Sequence, residues 1–126
     1  MQLLKKTSTK DFSRHLDIGL GFYVGTAGDV NGDGYDDILV GAPGAPAADK
    51  GTGGAGRAYL IFGHPTNSTA TTLDLLDSEK NQIVTFIGEE QDDYDVAGAA
   101  VYTAGDVDSD GYSDFLIGAP GAKVGQ

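Results

Sequence analysis

An internal repeat constrains this chain more than any other feature of its sequence. The run Gly21–Ala45 aligns without a gap on Gly98–Ala122, 77 residues later, and 17 of the 25 aligned positions are identical. The identities fall on Asp, Gly and Pro as well as on apolar residues. Repetition at a fixed distance is typical of architectures in which one supersecondary unit stacks on the next. The chain is therefore expected to contain two copies of one such unit.

Each copy contains a short acidic loop, 29–37 in the first and 106–114 in the second, with oxygen-bearing side chains at loop positions 1, 3, 5 and 9. Position 6 is glycine in both loops, and glycine can turn the chain sharply at positive φ. We expect this turn to aim the main-chain carbonyl of position 7 inward. The predicted metal ligands are Asp29, Asn31, Asp33, Tyr35 and Asp37 in the first loop and Asp106, Asp108, Asp110, Tyr112 and Asp114 in the second.

These ligands suit calcium, which takes six to eight oxygens at about 2.3–2.6 Å and favours carboxylates. Two Ca²⁺ sites are therefore predicted. An EF-hand starts with the same spacing, but it ends with a glutamate at position 12 and lies between helices. Position 12 here is Val40 in one copy and Ile117 in the other, both within apolar runs typical of strands. The loops are therefore not EF-hands.

Asp-Gly pairs also form plain hairpin turns, and this is the alternative to a metal site. A turn needs the glycine but not four surrounding oxygens. Both copies keep the oxygens while residues between them change, Gly32 to Ser109 and Asp36 to Ser113. The pattern therefore favours metal binding.

The order of these segments resembles the FG-GAP repeat, which is known from the β-propeller of integrin α subunits and from many bacterial surface proteins. The carriers of the resemblance are the acidic loops, Gly41-Ala42-Pro43, Gly118-Ala119-Pro120 and the strand-like run Arg57–Gly63. The Phe-Gly half of the motif is degenerate, as Leu20-Gly21 and Ala97-Gly98. The resemblance implies an all-β fold of about one and a half four-stranded propeller blades. It also implies calcium in the loops that join the first and second strands of each blade.

The expected organisation has three parts. Residues 1–18 form an N-terminal segment that could add an outer strand, 19–88 form the first blade, and 89–126 form the first half of a second blade. Ala45–Gly56 reads as a long hairpin connection, and the acidic run Glu89–Asp95 as a solvated linker between blades. An incomplete blade leaves sheet edges uncovered, and propellers usually close with four to eight blades. We therefore expect a homo-oligomer or a fragment of a larger propeller.

The net charge is −11, which argues against nucleic acid or an anionic membrane as a partner. Eight of the 19 acidic residues lie in the two loops, so two bound Ca²⁺ would reduce the formal charge to −7. No run of residues is long and apolar enough to insert in a membrane. The start of the chain lacks the apolar core of a signal peptide. The protein is therefore either intracellular or, the interpretation that we favour, a mature or excised piece of an extracellular, cell-surface or periplasmic protein.

Two classes of function remain open. The resemblance implies a calcium-binding scaffold with a structural, adhesive or protein-recognition role, whose protein or carbohydrate ligand is unassigned. The alternative is a calcium-dependent carbohydrate-active enzyme or its accessory domain, because the many Asp residues could include a carboxylate pair. Cysteine is absent, the two histidines lie apart, and no catalytic or cofactor-binding residues are predicted.

Asn67 begins an N-glycosylation pattern. Charge count favours tighter calcium binding at the second loop, which has four carboxylates against three and an amide.

Overall fold

The computed structural model describes residues 20–46, 54–65, 83–88 and 95–123. The predicted outer strand in 1–18, the middle of the connection at 47–53, the Asn67 pattern and most of the acidic linker lie outside these ranges. Within them the regular structure is entirely β, with six strands and no helix, which confirms the all-β prediction. In these same ranges nothing helical is long and apolar enough to span a bilayer.

The first four strands form one antiparallel sheet in sequence order. They are β1 (Tyr23–Gly28), β2 (Asp37–Ala42), β3 (Arg57–Ile61) and β4 (Ile83–Ile87). A second sheet contains the hairpin of β5 (Ala100–Gly105) and β6 (Asp114–Gly118). Apolar and β-branched residues dominate β2, β3, β4 and β6, as a buried pleated surface favours. The two sheets are consistent with one four-stranded blade followed by the first hairpin of a second.

The two acidic loops close hairpins of the same construction. Val24 pairs with Val40 in the first hairpin, and the equivalent Val101 pairs with Ile117 in the second. Both hairpins shift register one step before the loop, because Gly28 and Gly105 form bulges at φ of 71° and 72°. Glycine tolerates this left-handed conformation, and a bulge increases the local twist of the strand. Both loops therefore follow a bulge at the same position of their hairpin.

The two sheets meet along main-chain contacts that we call the blade seam, made by Gly41, Gly56, Gly88, Ala97 and Gly98 with their immediate neighbours. The amide of Ala97, just before the second sheet, donates to the Ala55 carbonyl at 2.9 Å, and a Cβ on Gly88 would lie 3.3 Å from the Cβ of Ala97. A Cβ on Gly41 would overlap the carbonyl oxygen of Gly98. The absence of side chains on these glycines is what lets the two backbones approach.

A cluster of buried side chains fills the space between the sheets. Its members are Ala27, Leu39, Ala58, Leu60 and Val101, with Val30, Phe62, Phe86, Phe115 and Ile117 packed against them. The rings of Phe86 and Phe115 meet edge to face with centroids 5.6 Å apart, which joins the outer strand of the first sheet to the second hairpin. Apolar burial of this kind is the main driving force for association of the two sheets.

The interpretation of Glu89–Asp95 as a solvated linker is wrong for its last residue. Asp95 is buried, with 5% of its surface exposed. The reason is that the chain after the acidic run joins the blade seam. The amide of Val96 donates to the Gly54 carbonyl at 3.1 Å, and the Asp95 carbonyl accepts from Gly121 at 3.1 Å. The remaining residues of the run lie outside the described ranges.

Candidate metal centres

The first loop begins where β1 ends and is organised by the carboxylate of Asp29. One oxygen, Oδ1, accepts from the amides of Gly32 at 2.7 Å and Asp33 at 3.0 Å. The other, Oδ2, accepts from the amide of Gly34 at 2.8 Å. Gly32 and Gly34 both have positive φ, so the chain curls round the carboxylate. The carboxylate of Asp29, at loop position 1, therefore holds the backbone of the loop in place through three main-chain amides.

Asn31 and Asp33 face one another within the loop. The Asn31 side-chain amide donates to Asp33 Oδ2 at 3.0 Å, and Asn31 Oδ1 accepts from the Asp33 main-chain amide at 3.1 Å. Asp33 Oδ1 also accepts from the amide of Tyr35 at 2.9 Å. Both residues are exposed, so their oxygens can be reached from solvent. The structure thus brings together the side chains predicted at positions 3 and 5, and joins the carboxylate at position 1 to the main-chain amide of position 5.

The ninth position of the first loop is held differently. Asp37 starts β2, is wholly buried, and accepts hydrogen bonds on both oxygens. The Val30 amide donates to Oδ2 at 2.9 Å, and the Gly63 amide donates to Oδ1 at 2.8 Å. A buried carboxylate needs hydrogen bonds or a counter-charge to offset its lost hydration. Two main-chain donors supply the hydrogen bonds, and the described residues supply no ion pair to it.

The second loop repeats the main hydrogen bonds of this pattern, but with fewer donors among the described residues than Asp29 and Asp37 have in the first loop. Asp106 accepts from the amides of Asp110 at 3.0 Å and Gly111 at 2.9 Å, and Asp110 accepts from the amide of Tyr112 at 2.9 Å. Asp114 Oδ2 accepts from the Val107 amide at 2.9 Å, as Asp37 does from Val30. No second amide donor to Asp114 occurs in the described part of the chain, and Asp114 is only partly buried.

Three carboxylates of the second loop converge. One oxygen from each of Asp106, Asp108 and Asp114 lies within 4.8 Å of the other two. Two oxygens that share a calcium ion at about 2.3–2.6 Å can be at most about 5 Å apart, so this spacing fits a single Ca²⁺. The all-oxygen, acidic donor set also matches a hard cation. Asp110 is outside this group of three, so its place in the ligand set stays a prediction, as do the carbonyls of Tyr35 and Tyr112.

The two loops touch each other, which sequence reasoning missed. The amide of Ser113 donates to the Asp29 carbonyl at 3.0 Å, and Thr103 Oγ1 donates to the Ala27 carbonyl at 3.4 Å. The ring of Tyr112 covers Gly32, where a Cβ would overlap it. The first and second loops are therefore neighbours at the same edge of the two sheets.

The strained backbone of the second loop was also missed. Ser109 lies at φ 63°, where the equivalent Gly32 lies at 75°. Left-handed backbone is costly for residues with a Cβ. In the repeat alignment Ser109 takes the place of Gly32. That glycine was the one sign in the sequence that this loop position needs a positive φ.

Comparison with known proteins supports the repeat. A family model described as "FG-GAP repeat" matches residues 22–61 and 97–126, which include both acidic loops. Integrin alpha-PS2 of Drosophila melanogaster is 37% identical over 95 residues, or 73% of this chain. Human integrin alpha-IIb is 37% identical over 94 residues, again 73% of the chain. Bovine phosphatidylinositol-glycan-specific phospholipase D is 38% identical over 95 residues, or 75% of the chain.

These relatives are far longer than the region they share with this chain. The matched region is 6% of the Drosophila integrin subunit, 8% of the human one and 10% of the bovine phospholipase. The similarity therefore concerns one repeated module that occurs in proteins with different names and different overall roles.

Proposed function

The chain belongs to the FG-GAP repeat family, and from this premise we propose that it is a calcium-binding module with a structural, adhesive or protein-recognition role. The observation that carries the proposal is the convergence of Asp106, Asp108 and Asp114 within 4.8 Å, in a loop whose oxygen-bearing positions 1, 3, 5 and 9 recur in the first repeat. The relatives named as integrin subunits support a scaffold role.

The proposed sites are the two hairpin loops. The first would use Asp29, Asn31, Asp33 and Asp37, and the second Asp106, Asp108, Asp110 and Asp114, each with the carbonyl of the tyrosine at position 7. A bound Ca²⁺ would supply positive charge to carboxylates that lie close together. The protein's part is to hold the oxygens in place with main-chain amides, as the hydrogen bonds to Asp29 and Asp106 do.

Calcium would then act on the junction between the blades rather than on a substrate. Each loop lies beside the other, through the Ser113 amide on the Asp29 carbonyl and the Tyr112 ring on Gly32. An ion that fixes one loop thereby restricts the residues that contact the second. The proposed result is a rigid edge formed by both loops, from which binding faces elsewhere on the blades are positioned.

Calorimetric titration with Ca²⁺ tests this proposal. We expect two binding events in the unaltered chain and one in Asp114→Ala, with Mg²⁺ as the comparison ion. Mg²⁺ demands near-octahedral geometry at about 2.0–2.1 Å and loses water reluctantly, so it should bind more weakly. No heat of binding at millimolar Ca²⁺, in a chain shown to be folded by circular dichroism, would reject the function.

We also propose an extracellular, cell-surface or periplasmic location and assembly into a larger propeller, either with further copies of the chain or within a longer protein. Within the described residues β6 pairs only with β5, whereas β2, its equivalent in the first repeat, also pairs with β3 along its other edge. Light scattering in calcium measures the assembly state. A protein or carbohydrate ligand fits the proposal better than nucleic acid or a membrane interior, because the net charge is −11.

The phospholipase relative supports a second candidate, in which the module accompanies a hydrolase of glycan-bearing substrates. In that case the module itself would bind or position rather than catalyse. Screening polysaccharides and glycolipids for binding and for hydrolysis, with and without Ca²⁺, separates the two candidates. Calcium-dependent hydrolysis by this chain alone would favour an enzyme, binding without turnover would favour the accessory role, and neither binding nor hydrolysis would favour the structural or adhesive role.

A further inference from the structure

The first loop contains an asparagine that is followed directly by glycine. Asn31 precedes Gly32, whereas the other two asparagines of the sequence precede Ser68 and Gln82. In such a pair the main-chain nitrogen of the second residue can attack the side-chain amide carbon of the first, and glycine has no Cβ to obstruct the approach. Asn31 and Gly32 are both exposed, so water reaches the pair. The pair therefore has the chemistry for deamidation without an enzyme.

The reaction consumes only water. The Gly32 nitrogen gives up its proton and bonds to Cγ of Asn31, the bond from Cγ to Nδ2 breaks, and ammonia leaves with that proton. The product is a cyclic succinimide. Water then opens the ring at either carbonyl, which leaves aspartate or isoaspartate at position 31. An amide and water are thus converted to a carboxylic acid and ammonia, with no oxidation or reduction.

The folded loop restrains both reacting groups. The Gly32 amide donates to Asp29 Oδ1 at 2.7 Å, and a carboxylate beside the nitrogen disfavours the loss of its proton. The Asn31 side chain donates from Nδ2 to Asp33 Oδ2 at 3.0 Å and accepts on Oδ1 from the Asp33 amide at 3.1 Å. The ring of Tyr112 lies against Gly32, where a Cβ would overlap it. The attack therefore requires the loop to open.

We propose that Asn31 is a site of non-enzymatic deamidation, guarded by the hydrogen bonds of the first loop and modified when that loop opens. The proposal does not depend on calcium binding at either loop.

The modification would change the charge of the loop. Aspartate at position 31 has no N–H to donate to Asp33, so two carboxylates would face each other where the 3.0 Å hydrogen bond now lies. The equivalent residues of the second loop, Asp108 and Asp110, are both acids already. Deamidation would thus convert the third position of the first loop to the residue type that the second loop has.

The experiment follows deamidation of the folded, full-length chain in calcium-free buffer, by peptide mass mapping that separates aspartate from isoaspartate. Asp29→Ala removes the acceptor of the Gly32 amide. It should raise the rate at Asn31 by about tenfold or more, because hydrogen bonds to charged groups are among the stronger ones. Leu60→Ala is the control, since it weakens the buried cluster between the sheets and leaves the hydrogen bonds of the loop in place.

Leu60→Ala should change the rate at Asn31 by less than about threefold, because a loop can open without global unfolding. Equal acceleration in Asp29→Ala and Leu60→Ala would show that global unfolding controls the reaction, and it would overturn the guarding role of the loop.

A second measurement uses the unaltered chain, so it does not depend on the variants folding. The rate at Asn31 in the folded chain is compared with its rate in guanidinium chloride, where the pair is unguarded. The folded chain should react more slowly by about tenfold or more. Equal rates would overturn the guarding role. In the denaturant Asn31 should also react faster than Asn67 and Asn81, and a rate no higher than theirs would overturn the site itself.

Discussion

The blade seam predicts that one glycine of the repeat is far more sensitive to substitution than its equivalent 77 residues later. Gly41 and Gly118 occupy the same position in the two Gly-Ala-Pro segments, and neither has positive φ. A Cβ on Gly41 would overlap the Gly98 carbonyl oxygen and lie 3.1 Å from its carbonyl carbon. A Cβ on Gly118 would lie 3.4 Å from the nearest atom, the Ala100 Cβ.

The magnitude follows from these distances. Carbon atoms pack best at about 3.5–4.0 Å, so Gly41→Ala forces the two backbones apart. Added volume at a packed site costs about 1–3 kcal/mol, and the obstacle here is main chain that cannot rotate away. Replacing glycine by alanine also lowers the conformational entropy of the unfolded chain, which stabilises both variants by about 0.4–1 kcal/mol. We therefore expect a loss of about 2 kcal/mol for Gly41→Ala, and a change of no more than about 0.5 kcal/mol for Gly118→Ala.

Thermal unfolding by calorimetry, in saturating calcium so that both loops are in one state, measures the difference. For a chain of this size about 1 kcal/mol corresponds to roughly 4 °C, so Gly41→Ala should lower Tm by about 8 °C. Urea unfolding gives a second value for the free energy of unfolding. Its dependence on urea concentration, the slope m, should be unchanged if the native surface is intact. Equal losses in the two variants would show that the close approach at Gly41 does not control the stability of the junction.

Three further outcomes are expected. Removal of Ca²⁺ with EDTA should lower Tm, because free Ca²⁺ at 100 times Kd contributes about 2.7 kcal/mol per site, and an unchanged Tm would argue against structural metal. Measured by urea unfolding, Ser109→Gly should leave the free energy of unfolding unchanged or raise it by up to about 1 kcal/mol. Gly32→Ala should lower it by more than about 1 kcal/mol, because this position has a positive φ and the Tyr112 ring leaves no room for a Cβ. Leu60→Ala should cost about 2–4 kcal/mol in chemical denaturation, and its half-exposed neighbour Val84→Ala less than half of that.

The sequence predicted the parts of this structure that depend on local chemistry. The glycines at loop position 6 and the oxygens at positions 1, 3 and 5 specify a curled loop through hydrogen bonds within the loop itself. The apolar runs on either side of each loop specify strands. For this reason the two hairpins, their loops and the all-β class were accessible from the repeat alone.

The contacts that join the loops to the rest of the molecule were not accessible. The Gly63 amide that binds Asp37 is a main-chain group, and main-chain groups leave no mark on residue identity. The ring of Tyr112 meets Gly32 across 80 residues of sequence, a pairing set by the packing of one sheet on the other. Asp95 was grouped with its acidic neighbours by composition, although its backbone belongs to the blade seam.

The blade seam has a consequence for how such modules diversify. Its hydrogen bonds are made by peptide groups, which every amino acid carries, and its close approaches require only that a few positions stay without side chains. The outward-facing side chains of each strand lie outside the blade seam and so do not determine how one unit is aligned on the next. Substitutions there can change what a module recognises while its alignment with the next module stays the same.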